Sequence, residues 1–159
     1  MAEPALPTPP GQIDVPLDTF SVTGRDDLLC ATVQGSLVVC LYDAVEEAGA
    51  MLHLRVVPSR SDRSAHELTD EFLASDLLLL ERCCAAFRAT CPTARHWQAR
   101  VVLHCGRDNE LAGPGELLLE FVRAHALESR VQVVQALVER GPPRQIVFRP
   151  AMGHVRIGP

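Results

Sequence analysis

Apolar residues gather with strand-like density over Leu28–Val33 and again over Leu37–Tyr42, with Gln34, Gly35 and Ser36 between them. This pattern predicts two strands around a tight bend. A third apolar run, Ala50–Val57, follows the acidic turn Asp43–Gly49. The two-residue period of a strand puts Met51, His53 and Arg55 on one face of it, and Leu52 and Leu54 on the other. From Ser64 the period becomes helical. Ser64 and Glu67 have capping-box spacing, and Leu68, Phe72, Leu79, Cys83 and Phe87 follow at helical intervals, with Ser75 and Asp76 offering a restart into a second helix. Pro92 closes this region, a strand over Arg100–Cys105 follows, and Pro114 opens a helix running to about Leu127. Strands over Val131–Leu137, Gln145–Arg149 and Val155–Ile157 complete the pattern.

Strands lead, helices interrupt them, and strands return. That order predicts an α/β fold, a layered α/β sandwich with a mixed β-sheet. It lacks the strict alternation of a doubly wound nucleotide fold and carries no glycine-rich phosphate cradle. Met1–Asp14 is rich in Pro and Ala, with no positive segment leading into an apolar one, so residues 1–15 are expected to be a flexible leader before a single domain over 16–159.

Composition narrows the function classes. Hydrophobic residues make up 47% and charged residues 22% of the 159, which excludes a mainly disordered chain. A net charge of -5 without a basic run gives no electrostatic footprint for nucleic acid or anionic lipid. The longest apolar run, Leu77–Leu80, is far shorter than the ~20 residues of a membrane span, so the protein is expected to be soluble, cytoplasmic and not membrane-inserted. Six cysteines without metal-type spacing read as reduced intracellular thiols: Cys40 as core, and Cys83, Cys84 and Cys91 on or after a helix. His104 and Cys105 are adjacent on a strand and point to opposite faces, so they make a poor metal pair. No cofactor is implied.

Candidate chemistry centres on the first bend. Gly35 gives the backbone freedom there, Ser36 begins the next strand, and His53 on a neighbouring strand supplies an imidazole, the pairing that an amide hydrolase needs. Taken singly, a Gly-Ser turn is usually only a turn, and a strand histidine is usually half-buried structure.

The stretch Val39-Cys40-Leu41-Tyr42-Asp43, followed by Gly49-Ala50-Met51-Leu52-His53, resembles the CheD family of chemoreceptor glutamine deamidases. The resemblance runs from about Leu28 to Ile157. It takes in Ala74-Ser75-Asp76, the helix after Pro114, and Arg144 through Val155. It implies a bacterial chemotaxis enzyme that hydrolyses receptor glutamine side-chain amides to glutamates through a Cys-His-Thr arrangement. His53 falls on the catalytic histidine. Counting back from Asp43 without gaps puts Ser36 in the cysteine position and Cys30 in the threonine position, so thiol and hydroxyl have traded places. Superimposing the two Gly-Ser pairs instead puts Leu37 there. Paired glycines of the family fall at His104-Cys105-Gly106 and at Glu139-Arg140, where bulk replaces flexibility.

Two functions follow as expectations. One is a residually active glutamine amidase: Ser36 or Cys30 attacks, His53 moves the proton, and backbone N–H groups near Gly35 and Ser36 hold the oxyanion. The other is an inactive interaction module that binds a chemoreceptor cytoplasmic domain or a CheC-like phosphatase. Serine in a site shaped for sulfur favours the second, because ~1 Å of misplacement can cost on the order of 10²-fold in rate.

Overall fold

The computed structural model describes residues 11–56 and 65–159, with side chains along the first helix described from residue 74 onward. Its elements in chain order are β1 (Gln12–Asp14), β2 (Thr19–Thr23), β3 (Leu28–Val33), β4 (Ser36–Asp43), β5 (Ala48–Arg55), α1 (Ala65–Thr90), β6 (Gln98–His104), α2 (Ala112–Glu128), β7 (Gln132–Glu139), β8 (Arg144–Arg149) and β9 (His154–Gly158). They form a four-stranded sheet ordered β1-β3-β8-β9 and a five-stranded sheet ordered β2-β5-β4-β6-β7. β1 runs parallel to β3 and β7 parallel to β6, while the other neighbours are antiparallel. The fold is the expected layered α/β sandwich, with two mixed sheets.

Two cores explain the layering. Leu37, Val39 and Leu41 pack with Leu52, Leu54, Leu80, Phe87 and Leu118 beneath the helices. Val38, Cys40 and Tyr42 pack with Leu29, Met51, Ile146 and Phe148 between the sheets. β4 is thus buried on both faces along all eight residues, which is why its sequence reads as a continuous apolar run. On α1, Leu80, Cys83, Cys84 and Phe87 form one buried stripe. Phe87 meets Trp97 edge-on at 4.3 Å between ring centroids.

The bend after β3 does not make a hairpin. Gly35, at φ +59°, carries the chain from one sheet to the other, so β3 and β4 lie in different layers. The positive φ favours glycine there, and a Cβ would also displace the tip of Leu111, whose Cδ1 would lie 2.7 Å away. Asp43 closes β4. One of its carboxylate oxygens accepts from the Val45 and Glu46 N–H groups and the other from Arg95 and His96, which fastens the β4–β5 turn to the segment entering β6. Burial pushes this carboxyl up, but the four N–H groups outweigh it and hold it below the usual range.

Two expectations are corrected here. Residues 11–15 are not part of a flexible leader: Gln12–Asp14 is β1, and Val15 is buried between the sheets. Ile13 and Val15 supply the inward-facing pair that makes this segment a strand. Ser75 and Asp76 do not restart a helix, because α1 passes through them unbroken. Ser64, and the side chains of Glu67, Leu68 and Phe72, lie outside the described residues. Pro114 sits inside the first turn of α2, where its missing N–H would be unpaired anyway.

Candidate active site

The β4–β5 register places Val38 opposite His53 and Ser36 opposite Arg55. Ser36 is therefore the diagonal neighbour of His53 on the face turned toward the second sheet. Their side chains meet, with Ser36 Oγ 2.8 Å from His53 Nε2. On the far side of the ring, Nδ1 is 3.1 Å from the carbonyl oxygen of Val15. A carbonyl only accepts, so Nδ1 carries the hydrogen and Nε2 accepts the serine O–H. Burial lowers the His53 pKa, and the opposing pulls of the Val15 carbonyl and Asp18 do not overcome it, so the ring is neutral at neutral pH. Hydroxyl, imidazole and an orienting carbonyl stand in the order of a general-base relay.

The relay is closed to solvent at its nucleophile end. Ser36 is 0% exposed, and its Oγ also accepts the Gln34 N–H at 3.3 Å. Both hydrogen-bonding roles of the hydroxyl are in use within the fold. A cleft of about 340 Å³ opens beside β3, lined by Asp14, Val15, Cys30, Thr32, His53 and Gln145 among others. It reaches His53, but Ser36 is not on its wall.

Cys30 does not join the pair. Leu29, Ala31 and Val33 point into the inter-sheet core, so alternation along β3 sends the Cys30 thiol to the outer face of the four-stranded sheet. There its cross-strand neighbours are Asp14 and Val147. Burial raises the thiol pKa, Asp14 adds to the rise, and Arg156 and Gln12 offset part of it. It is therefore a poor thiolate. Of the three residues that the sequence singles out, the fold joins Ser36 to His53 and turns the Cys30 side chain to the other face of its sheet.

The expected oxyanion donors also change. The Gly35 N–H is committed to His104 Nδ1 at 3.1 Å, the same atom accepts the Gly106 N–H at 3.1 Å, and Nε2 donates to the Pro142 carbonyl at 3.1 Å. His104 is a fully buried clamp on the Gly35 bend. Its neighbour Cys105 faces the helix-side core, as alternation requires. Among the described residues no group of three or more His, Cys, Asp or Glu side chains could hold a metal ion. The Glu139 carbonyl accepts the Cys105 N–H, and Arg140 is exposed, so that bulky stretch ties strand ends together instead of filling the cleft.

Sequence reasoning missed the Val15 carbonyl and the His104 clamp. The Ile13–Val15 alternation is a signal for the strand that delivers the first. Nothing local marks His104, because two of its three partners, Gly35 and Pro142, come from distant segments. No helix among the described residues is long and apolar enough to cross a membrane. No protein-family model and no curated protein matches the chain.

Proposed function

We propose that this chain is a CheD-like domain of bacterial chemotaxis whose glutamine deamidation is severely impaired. On this reading it serves as an interaction module for a chemoreceptor cytoplasmic domain or a CheC-like phosphatase. The observation that carries the proposal is the 2.8 Å hydrogen bond joining Ser36 to His53, the two residues that the ungapped resemblance sets in the nucleophile and base positions. The impairment follows from the same site. The hydroxyl is enclosed and also holds the Gln34 N–H, the Gly35 N–H is spent on His104, and the Cys30 thiol faces away. A serine needs concerted proton removal at contact distance from the amide carbon, and a side chain without access cannot reach one.

The tautomer of His53 favours one competing reading, a working serine amidase, because Nε2 already accepts the Ser36 proton. One experiment separates the two. The purified protein is incubated with a chemoreceptor cytoplasmic fragment, and peptide mass spectrometry follows conversion of glutamine amide to acid. In parallel, calorimetry measures binding to the fragment and to a CheC-like phosphatase. Binding without conversion is expected. Conversion that disappears in Ser36→Ala would establish the serine amidase, and absence of binding to both partners at high micromolar concentration would remove the interaction module.

A further inference from the structure

The parallel ladder between β1 and β3 stops one rung early. The Leu28 N–H donates to the Gly11 carbonyl at 2.7 Å, and the Val15 N–H donates to the Cys30 carbonyl at 2.8 Å. Even-numbered residues of β3 therefore turn their main-chain groups toward β1. The next rung would join the Thr32 N–H to the Val15 carbonyl, but that carbonyl is turned inward onto His53 Nδ1, and Pro16 bends the chain away toward β2. Thr32 is exposed and on the cleft wall, and the same alternation turns its N–H and C=O toward the space where β1 would have continued, where no described residue pairs with them.

We propose that this cleft binds an extended peptide segment of another protein, which takes the place of the missing stretch of β1 and pairs its main chain with Thr32. The inference does not depend on the functional proposal, since it starts from the broken ladder. Unpaired edge groups are a template for strand addition, in which main-chain bonds give affinity and alternate side chains give selectivity. The cleft volume of about 340 Å³ is within the range of small-ligand sites and suits a few residues of extended chain. Charge adds selectivity: Asp14 is an exposed carboxylate on the rim, and it takes part in neither ion pair found among the described residues, so a peptide with a Lys or Arg near the paired residue is favoured. The chain's own residues 1–10 are poor occupants, because four of the ten are prolines without an N–H to donate.

The test is selection from a displayed library of random linear peptides on the full chain, followed by affinity measurement of the enriched peptides with Thr32→Pro and Thr32→Val. Proline is tolerated on an edge strand whose N–H faces outward, so Thr32→Pro is expected to melt close to the wild type. It should weaken binding roughly tenfold, the effect of losing one main-chain hydrogen bond, while Thr32→Val binds as the wild type does. If Thr32→Pro melts early, N-methylation along the peptide decides instead: affinity should fall at alternate residues only. No enriched peptide, binding indifferent to Thr32→Pro in a folded protein, or equal sensitivity to N-methylation at every residue would overturn the proposal. So would a peptide copying residues 1–10 that displaces the selected ones, or self-association that Thr32→Pro abolishes, since either gives the edge another occupant.

Discussion

Replacing Ser36 with alanine removes one hydroxyl and leaves two groups short: the Nε2 lone pair of His53 and the N–H of Gln34. His53 is buried, so its Nε2 has no ready substitute, whereas Gln34 is exposed and its N–H can turn to water. A buried polar atom deprived of its partner costs about 1–3 kcal/mol. For a domain of this size that corresponds to a fall in Tm of about 2–12 °C. His53→Ala removes the imidazole, so it carries a cavity cost as well, but once His53 is gone the serine substitution has less left to break. The double variant should therefore be more stable than additivity predicts, with a coupling of about 0.5–3 kcal/mol. Urea unfolding of the four proteins at pH 7.5 measures it, and repeating the series at pH 5.5 adds a signature specific to the histidine. The folded pKa of His53 is lowered, so its contribution is complete above the ordinary histidine value of 6.5 and is lost as pH falls through the folded pKa. Wild type should lose stability between the two conditions, and His53→Ala should lose less. Additive single substitutions, or an unchanged pH dependence in His53→Ala, would refute the buried neutral hydrogen bond on which the site reading rests.

Asp43→Ala should destabilise by about 3 kcal/mol, because four backbone N–H groups lose their acceptor; with its pKa held low, the charge-linked part of the wild-type contribution is complete above 3.8 and is lost as pH falls through the folded pKa, so the gap between the two proteins in thermal melts should narrow in acid. Asp76 is pushed up to about 6 by burial first and by Asp18 second, so ionising it opposes folding as pH rises through that value. Asp76→Asn should therefore raise Tm at pH 7.5 and lose the advantage near pH 4. Native alkylation with iodoacetamide should label Cys91 first among the six cysteines, since the other five are buried; peptide mapping that finds Cys30 labelled as fast would contradict its raised pKa and enclosure.

The strands from β3 onward and both helices were legible because apolar spacing records burial directly: β4 reads as continuous because both faces are covered, and α2 because Leu118, Leu119, Val122 and Ala126 form its stripe. β1 was hidden because three residues carry little pattern, and β2 because its exposed flanks and half-buried positions dilute the alternation. The Ser36–His53 contact was legible from phase on neighbouring strands. Cys30 was misplaced because phase within one strand says nothing about which sheet that strand joins, and the crossing at Gly35 moves β3 to the other layer. The fate of the Gly35 N–H could not be read at all, since His104 arrives from another part of the chain.

The four-stranded sheet has a kinetic consequence. Its strands come from two widely separated segments, β1 and β3 on one side and β8 and β9 on the other, whereas most of the five-stranded sheet and its helices are built from the chain between. Closing so long a loop precedes any reward from β3–β8 pairing, so this sheet is expected to be the slow step of refolding. Until it forms, the inner faces of β4 and β5, with Val38, Cys40 and Met51, stay open to solvent and to other chains. If that order of assembly holds, His53 is covered only when the four-stranded sheet closes over it, and interrupted refolding followed by alkylation of Cys40 is expected to show this inner face open early.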